Sequence, residues 1–185
     1  VVKATQSVIV KLNIDESANE IQRPISVSDE SASVPDGFAR WQKTNVEKQS
    51  QSGFNSVFIG LEAGDITANQ LRSVAEIIRD YSAEGFARNG FSQNIVIRYV
   101  HDDDLKSMYS RLIENGLAKT GSLTMASAVG CSGTTSCNLA LTNSHRLAKE
   151  VQRKFLELNF DEDDDLKDST IKISGCPNSC GQHQI

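Results

Sequence analysis

Apolar and polar residues alternate over residues 7–14 (SVIVKLNI). Successive side chains of a β-strand point to opposite faces of a sheet, so this pattern predicts a half-buried strand. Residues 15–37 are polar and turn-rich, which indicates a long loop or a linker. The single tryptophan, Trp41, follows and is interpreted as a packing residue of the core. Residues 54–61 (FNSVFIGL) predict a second strand.

A helix is predicted after the second strand. Thr67 suits the N-cap position, and Gln70 three residues later completes a capping box. Apolar residues then recur at helical spacing to about Tyr81. These residues are Leu71, Val74, Ala75, Ile77 and Ile78. A loop containing glycine follows, and residues 94–100 (NIVIRYV) predict a third strand.

A second helix is predicted directly after that strand. The acidic residues 102–104 suit its first turn, because the helix dipole is positive there. The helix continues through four apolar positions and ends at Gly116; the four are Leu105, Met108, Leu112 and Ile113. The order strand, helix, strand, helix predicts an open α+β lobe.

The last third of the chain predicts a different arrangement. Residues 122–129 are small and predict a strand that ends at Cys131, and residues 170–173 predict a short strand before Cys176. A single long helix is predicted over residues 136–158. Its expected buried positions are Leu139, Leu141, Leu147, Val151 and Phe155. Each pair of cysteines would then lie at a strand-to-helix junction, where the helix dipole favours a negatively charged group.

Composition narrows the class of protein. The 185 residues are 38% hydrophobic and 23% charged with a net charge of −5, which is typical of a globular chain of one domain or two small lobes and argues against a general nucleic-acid binder. No apolar run predicts a membrane span, and the first residues do not resemble a secretory signal. The acidic run 161–165 is interpreted as a solvated loop, because it lacks the glycine and distal glutamate of a calcium-binding loop. A first residue other than Met and a chain end five residues after the last cysteine suggest a piece of a longer protein.

All four cysteines lie in the last third of the chain. Five residues separate Cys131 from Cys137, 38 residues follow, and three residues separate Cys176 from Cys180. Without a secretory context, disulfides are disfavoured, and four thiolates are the number that completes a zinc site or an iron–sulfur cluster.

A cluster is favoured over zinc. Paired zinc ligands are usually two to four residues apart, which a gap of five fits poorly. The proline after Cys176 is similar to the Cys-Pro ending of bacterial ferredoxin motifs. Glycines beside the cysteines would let the backbone pass close to a bulky inorganic group. These glycines are Gly130, Gly133, Gly175 and Gly181.

The two cysteine motifs, GCSGTTSC and SGCPNSCGQH, resemble those of the sirohaem-dependent sulfite and nitrite reductases. The resemblance extends upstream, from Trp41 through GFNSVFIGLEAGDITANQLRSVAEII to SQNIVIRYV. It implies an α+β fold in three parts. Residues 38–120 would form the second ferredoxin-like half-domain and residues 121–185 the beginning of an α/β domain for a 4Fe–4S cluster and sirohaem. Residues 1–37 would be a linker or the tail of a preceding domain.

The resemblance also implies cofactors and partners. Cys131, Cys137, Cys176 and Cys180 would bind a 4Fe–4S cluster, and the Cys180 sulfur would also be the axial ligand of the sirohaem iron. The implied reaction is the six-electron reduction of sulfite to sulfide or of nitrite to ammonia, with electrons from ferredoxin or a flavoprotein. Free thiolates imply a reducing compartment, either the cytoplasm or the plastid stroma.

Sirohaem carries several carboxylates, so its site needs cationic and amide donors. The candidates are Arg88, Gln93, Asn94, Arg98 and Asn178. Each could instead be an ordinary surface residue. His183 is interpreted as structural, because the family uses a thiolate as axial ligand, and His101 and His145 are interpreted as surface residues or helix caps.

No catalytic residue is assigned within the chain, and the chain alone is expected to lack turnover. Two alternatives stay open beside the reductase. One is a four-cysteine module that binds zinc or a cluster only for folding, and the other is a simple iron–sulfur electron carrier.

Overall fold

A four-stranded antiparallel sheet with strand order β1-β2-β4-β3 forms one side of the molecule. The computed structural model describes residues 34–166 and 169–182. The strand predicted over residues 7–14 and most of the predicted loop 15–37 lie outside these residues. The strands are β1 (Val46–Lys48), β2 (Phe54–Ile59), β3 (Ala87–Asn89) and β4 (Ile95–His101).

Four α-helices accompany the strands in the part of the chain that the structure describes. Of these, α2 and α3 confirm the two helices predicted in the middle of the chain, and the Thr67 capping box of α2 is present with Gln70. The edge strands β1 and β3 were not predicted, and β3 occupies the loop expected between α2 and the next strand. The helices are α1 (Phe38–Asn45), α2 (Ala68–Tyr81), α3 (Leu105–Glu114) and α4 (Ser144–Glu157).

The hydrophobic core lies between the sheet and helices α1, α2 and α3. Alternate residues of β2 are buried, which is the pattern of a strand with one face on the core. Trp41 is fully buried, and its ring lies 6.0 Å from that of Phe38 and 4.9 Å from that of Tyr109. The interpretation of Trp41 as a core packing residue is therefore confirmed.

A buried asparagine connects the core to the segment after α3. The Asn45 amide nitrogen lies 2.8 Å from the carbonyl oxygens of Phe58 and Lys119 and 2.7 Å from the Ser122 hydroxyl. Its Oδ1 accepts a hydrogen bond from the Thr44 hydroxyl. A buried amide is stable in a core only when its polar atoms are paired in this way.

The strand predicted over residues 122–129 is wrong except at its end. Only Val129–Gly130 is a strand, β5, and it pairs in parallel with β6, Lys172–Ile173. The preceding residues form turns, because the Thr124 hydroxyl and N–H both donate to the Gly121 carbonyl. Hydroxyl side chains that bond the nearby backbone favour turns over strands.

The single helix predicted over residues 136–158 is also wrong in its first third. Helix α4 begins at Ser144, because the Asn143 side chain caps it by accepting from the N–H of Arg146. Its buried residues are small or polar rather than the predicted leucines, and they are Ser144, Ala148 and Gln152. The predicted core residues Leu139, Leu141 and Leu147 are instead 70%, 77% and 53% exposed.

The acidic run 161–165 is not solvated throughout. Asp161 is buried and forms a bidentate ion pair with Arg40, whose Nε lies 2.8 Å from Asp161 Oδ2. Arg40 also donates to the Leu156 carbonyl. This pair attaches α1 to the end of α4, a contact between positions 121 residues apart in the chain.

None of the helices in the described part of the chain is both long enough and apolar enough to cross a bilayer.

Candidate functional site

The pairing of β5 with β6 brings the two cysteine motifs together. Directly after β5, the N–H of Cys131 donates to the carbonyl of Ile173, the last residue of β6, at 3.1 Å. The N–H groups of Leu141 and Thr142 both donate to the Gly175 carbonyl, at 2.9 and 3.2 Å. The loop after β5 (residues 131–143) and the loop after β6 (residues 174–182) are therefore neighbours, although 38 residues separate Cys137 from Cys176.

Cys131 has the most developed surroundings of the four cysteines. Its Sγ lies 3.0 Å from the Ser144 hydroxyl and accepts from the Gly175 N–H at 3.2 Å. Burial alone would raise the pKa of this thiol, but hydrogen bonds from Ser144 and from the N–H groups of Gly175 and Gly133 outweigh it, so the pKa is lowered. Donors aimed at a sulfur favour the thiolate, the form that binds metals.

The other cysteines lie on the same two loops, Cys137 on the loop after β5 and Cys176 and Cys180 on the loop after β6. Cys137 and Cys176 are partly buried, Cys180 is exposed, and all four thiols are free. In residues 34–166 and 169–182, no three His, Cys, Asp or Glu side chains converge closely enough for a single metal ion. The expected strand-to-helix junctions are reduced to one short 3-10 turn, Gly133–Thr135, before Cys137, and no helix follows Cys176 within the described residues.

The glycines of this region serve the packing of the chain itself. A Cβ on Gly130 would lie 2.6 Å from the Ala148 Cβ, and one on Gly133 would lie 2.7 Å from the backbone N of Ser144. One on Gly175 would lie 2.9 Å from the Thr142 carbonyl oxygen. These contacts are with α4 and the loop before it, so the glycines allow close packing within the chain itself, and their role beside an inorganic group stays a prediction.

A groove of about 520 Å³ lies beside strands β3 and β4 and the residues just before β5 and β6. Among the predicted cofactor contacts, Arg88 and Asn94 line it. Asn94 is buried, and its Oδ1 has no hydrogen-bond partner among the described residues. The apolar lining consists of Phe58, Phe91, Val96 and Leu123. A groove with apolar walls and a few polar atoms is typical of cofactor sites.

Two of the predicted cationic contacts share one carboxylate. Arg88 donates to both oxygens of Glu84, at 2.6 and 2.7 Å, and Arg98 lies 3.3 Å from Glu84 Oε1. Hydrogen bonds from Arg88 and the charge of Arg98 lower the pKa of Glu84 against the opposing effect of burial. The Arg98 Nε is buried without a partner in the described chain. Sequence reasoning missed Glu84 as the partner of these arginines, because it belongs to no recognisable motif.

Gln93 has a different environment from the one predicted. Its Nε2 donates to the Gly130 carbonyl at 2.9 Å, and its Oε1 accepts from the Gly130 N–H at 3.1 Å. Both polar atoms of the Gln93 amide are thus hydrogen-bonded to the backbone of Gly130, the residue before Cys131. A second glutamine, Gln152, donates to the Ala128 carbonyl at 3.0 Å and accepts from the Ala63 N–H at 3.3 Å. Sequence reasoning missed Gln152, although its spacing of four and eight residues from Ala148 and Ser144 marks a closely packed helix face.

The remaining candidates lie elsewhere. Asn178 is exposed in the second cysteine loop. The His101 ring accepts from the Asp103 N–H and caps a short 3-10 turn, as predicted. His145 lies 3.2 Å from Asp65, which also pairs with Lys149 at 2.6 Å. His183 lies outside the described residues.

Residues 47–115 match the model of the nitrite/sulfite reductase ferredoxin-like half domain. This segment contains β1 to β4, α2 and α3, and the order β2, α2, β4, α3 within it is the one that the sequence predicted. Over these residues the chain is similar to the nitrite and sulfite reductases. The mixed helix and strand architecture confirms the predicted α+β class.

Named relatives come from both branches of this family. The chain is 27% identical over 148 residues to the ferredoxin–nitrite reductase of Synechococcus elongatus, covering 78% of this chain and 28% of that enzyme. It is 26% identical over 139 residues to sulfite reductase [ferredoxin] 2 of Mycolicibacterium paratuberculosis, covering 73% and 24%. The chain therefore spans about a quarter of the length of the curated relatives it matches.

A solved structure shares the fold of the chain. The Mycobacterium tuberculosis NirA protein superimposes with a TM-score of 0.54 at 24% identity, over 75% of this chain and 25% of that protein. At this level of identity the match shows the fold of the chain alone.

Proposed function

We propose that this chain is the part of a sulfite or nitrite reductase that binds a 4Fe–4S cluster and contacts sirohaem. Cys131, Cys137, Cys176 and Cys180 would be the cluster ligands, with Cys180 also the axial ligand of the sirohaem iron. The observation that carries the proposal is the junction of the two cysteine loops, where β5 pairs with β6 and the Gly175 N–H donates to Cys131 Sγ.

The chemistry of the loops fits an iron–sulfur cluster. Four free thiols lie on two neighbouring loops, and the Gly175 N–H donates to Cys131 Sγ, which also lies 3.0 Å from the Ser144 hydroxyl. Donors of this kind stabilise thiolate ligands and tune the reduction potential of the cluster they bind. A four-iron cluster also spreads its ligands further apart than a single ion does, which suits thiols that do not converge on one point.

The groove lined by Arg88 and Asn94 fits one side of a tetrapyrrole. Its apolar walls suit the macrocycle, and the unpaired Asn94 Oδ1 leaves a buried acceptor for a partner that the protein does not supply. Arg88 and Arg98 would donate hydrogen bonds to the carboxylates of the ring, either in place of their present bonds to Glu84 or in addition to them.

When bound, the cluster and sirohaem would supply electrons and an iron for the anionic substrate. The protein has three tasks in this scheme. The cysteine loops fix the ligand sulfurs, the arginines neutralise anionic groups, and the groove walls exclude water. We assign no proton donor within this chain and expect the chain alone to lack turnover.

Relatives are named both as nitrite and as sulfite reductases, so either substrate is consistent with the proposal. Their names include ferredoxin, which favours ferredoxin over a flavoprotein as electron donor. Free thiolate ligands need a reducing compartment, and the relatives include cyanobacterial and chloroplast enzymes. We therefore propose the cytoplasm or the plastid stroma as its location.

The test is an anaerobic ultraviolet–visible spectrum of the protein in its longest natural form, with iron and zinc counted in the same sample. We expect tetrapyrrole bands and about five irons per chain, four in the cluster and one in the macrocycle. A control variant, Cys131→Ser, should lose cluster absorption, because serine does not supply a thiolate.

Two other outcomes would replace the proposal. A colourless protein with about one zinc per chain would indicate a four-cysteine structural module. Cluster absorption without tetrapyrrole bands would indicate an iron–sulfur electron carrier. Sulfite and nitrite turnover with reduced ferredoxin, measured on the coloured protein, then decides the substrate.

A further inference from the structure

Gln93 contacts the strand that leads to the first cysteine, at the residue directly before Cys131. Its side-chain amide makes two hydrogen bonds to Gly130, one to the carbonyl oxygen at 2.9 Å and one from the N–H at 3.1 Å. A primary amide that pairs with both groups of one residue mimics the bonding of a neighbouring β-strand. Gln93 therefore acts as a one-residue strand on β5.

The geometry of β5 explains why this contact is needed. The N–H groups of Val129 and Cys131 point towards β6 and donate to Ile171 and Ile173, at 2.8 and 3.1 Å. In a ladder the residue between them directs its N–H and carbonyl to the opposite edge. Gly130 would thus have two unpaired backbone groups on that edge without Gln93, and unpaired buried backbone groups are costly.

Helix α4 packs closely against β5 at this residue, since a Cβ on Gly130 would lie 2.6 Å from the Ala148 Cβ. The backbone of Gln93 is itself in the left-handed region, with φ of 55°, which is unfavourable for a residue other than glycine. Strain of this kind persists where surrounding contacts repay it, and here the contacts are those to Gly130.

Cys131 is consequently held from three directions. Gln93 fixes the residue before it, Ile173 of the β6 strand accepts from its N–H, and the Ser144 hydroxyl donates to its carbonyl oxygen at 3.0 Å. Of these, only Gln93 comes from residues 47–115, the segment that matches the half-domain, where it lies between β3 and β4. The side chain of Gln93 therefore links the ferredoxin-like half-domain directly to the first cysteine.

We propose that Gln93 is a positioning residue that sets the location of the Cys131 sulfur for the metal centre. This inference rests on the proposed function, because it concerns a cluster bound by Cys131. It differs from the direct sirohaem contact expected for this residue from sequence. Residues that orient a ligand without touching the metal typically change metal affinity by about 10–100-fold when they are replaced.

Gln152 supplies a matched control. It also makes two hydrogen bonds to the backbone, but to two different residues, the Ala128 carbonyl and the Ala63 N–H, and its contact with the strand region lies two residues further from Cys131. Replacing either glutamine by methionine keeps the length of the side chain and removes both hydrogen bonds. The two variants should lower the thermal midpoint of the protein similarly.

The experiment compares Gln93→Met, Gln152→Met and the unchanged holoprotein in its longest natural form. The measurements are the rate of iron release to a chelator without oxygen and the electron paramagnetic resonance spectrum of the reduced cluster. We expect release about tenfold faster and an altered spectrum for Gln93→Met only. If Gln93→Met does not accumulate, Gln93→Glu keeps the acceptor for the Gly130 N–H and should give a smaller increase in the release rate.

Two results would overturn the proposal in distinguishable ways. A cluster in the unchanged protein, with equal release rates and unchanged spectra in both variants, would make Gln93 a structural residue and leave the proposed function intact. An unchanged protein that contains zinc or no metal would refute the proposed function, and the positioning role with it.

Discussion

The sheet region, residues 38–119, and the cysteine region, residues 129–182, are stabilised by different forces. In the sheet region large apolar side chains such as Trp41, Ile77 and Leu112 are completely buried between sheet and helices. In the cysteine region the buried face of α4 consists of small or polar residues. The large apolar residues Leu139 and Leu141, in the loop before α4, are mostly exposed. The first region depends on burial of apolar area, and the second on close approach and paired polar groups.

This difference teaches where a mutation should matter. In the sheet region the cost of a substitution follows the volume removed from the core. In the cysteine region it should follow the backbone contact or hydrogen bond that is broken, almost independently of apolar area. Matched pairs of substitutions, one in each region, test this distinction directly.

The largest effect is expected for a pair of leucines. Leu112→Ala removes a fully buried side chain from the sheet region and should lower the free energy of unfolding by about 2–5 kcal/mol. Leu141→Ala removes a side chain that is 77% exposed and should change it by less than about 0.5 kcal/mol. Urea unfolding followed by circular dichroism measures both. A large loss for Leu141→Ala would mean that the predicted long helix, with Leu141 in its core, is the better description.

The leucines also show how much of the fold the sequence could predict. Periodicity located β2, α2, β4 and α3 correctly, because apolar burial decides their structure. The same reasoning failed at the start of α4, where Leu139 and Leu141 follow a helical pattern but the Asn143 cap begins the helix later. Local hydrogen bonding there outweighs the apolar pattern.

The candidate site was predictable only in part. The four cysteines were identified from their spacing, because spacing is a property of the sequence alone. The contact of Gln93 with Gly130, 37 positions away, and the ion pair of Arg40 with Asp161 depend on which segments become neighbours. An isolated polar residue carries no periodic signal for such a partner, so these contacts appear only in three dimensions.

A pair of glycines gives the next largest effect. Gly133 and Gly85 both have positive φ, 53° and 76°, so alanine is strained at either position. A Cβ on Gly133 would also lie 2.7 Å from backbone atoms of Thr142 and Ser144, whereas one on Gly85 meets nothing within 4 Å. Gly133→Ala should therefore lose about 1–3 kcal/mol more stability than Gly85→Ala.

Thermal unfolding of the two variants at one pH measures this difference. Because both substitutions place alanine at a positive φ, their difference mainly reports the close packing of the cysteine loop against α4. Equal losses would show that the loop can move away from α4, and that close approach does not organise the cysteine region.

The smallest effect is expected for a charged contact between the two regions. Asp65, after β2, pairs with Lys149 and His145 of α4 at 2.6 and 3.2 Å. Hydrogen bonding from Lys149 lowers the pKa of Asp65 against the effect of burial, and His145 adds to the lowering. Since the folded pKa lies below the unfolded value of about 3.9, the contribution is present above that pH and disappears as the pH falls through the folded pKa.

Asp65→Asn should therefore reduce stability at neutral pH by about 0.2–1 kcal/mol, because the carboxylate is 57% exposed and the pair is screened by water. The variant and the unchanged protein should begin to converge below about pH 4, where the unfolded carboxylate becomes protonated, and should coincide only once the pH lies below the lowered folded pKa of Asp65. Glu150→Gln is the control, since Glu150 pairs with Arg153 within α4 and does not join the two regions. A difference that persists at low pH would assign the effect of Asp65 to packing of the β2–α2 loop instead of to charge.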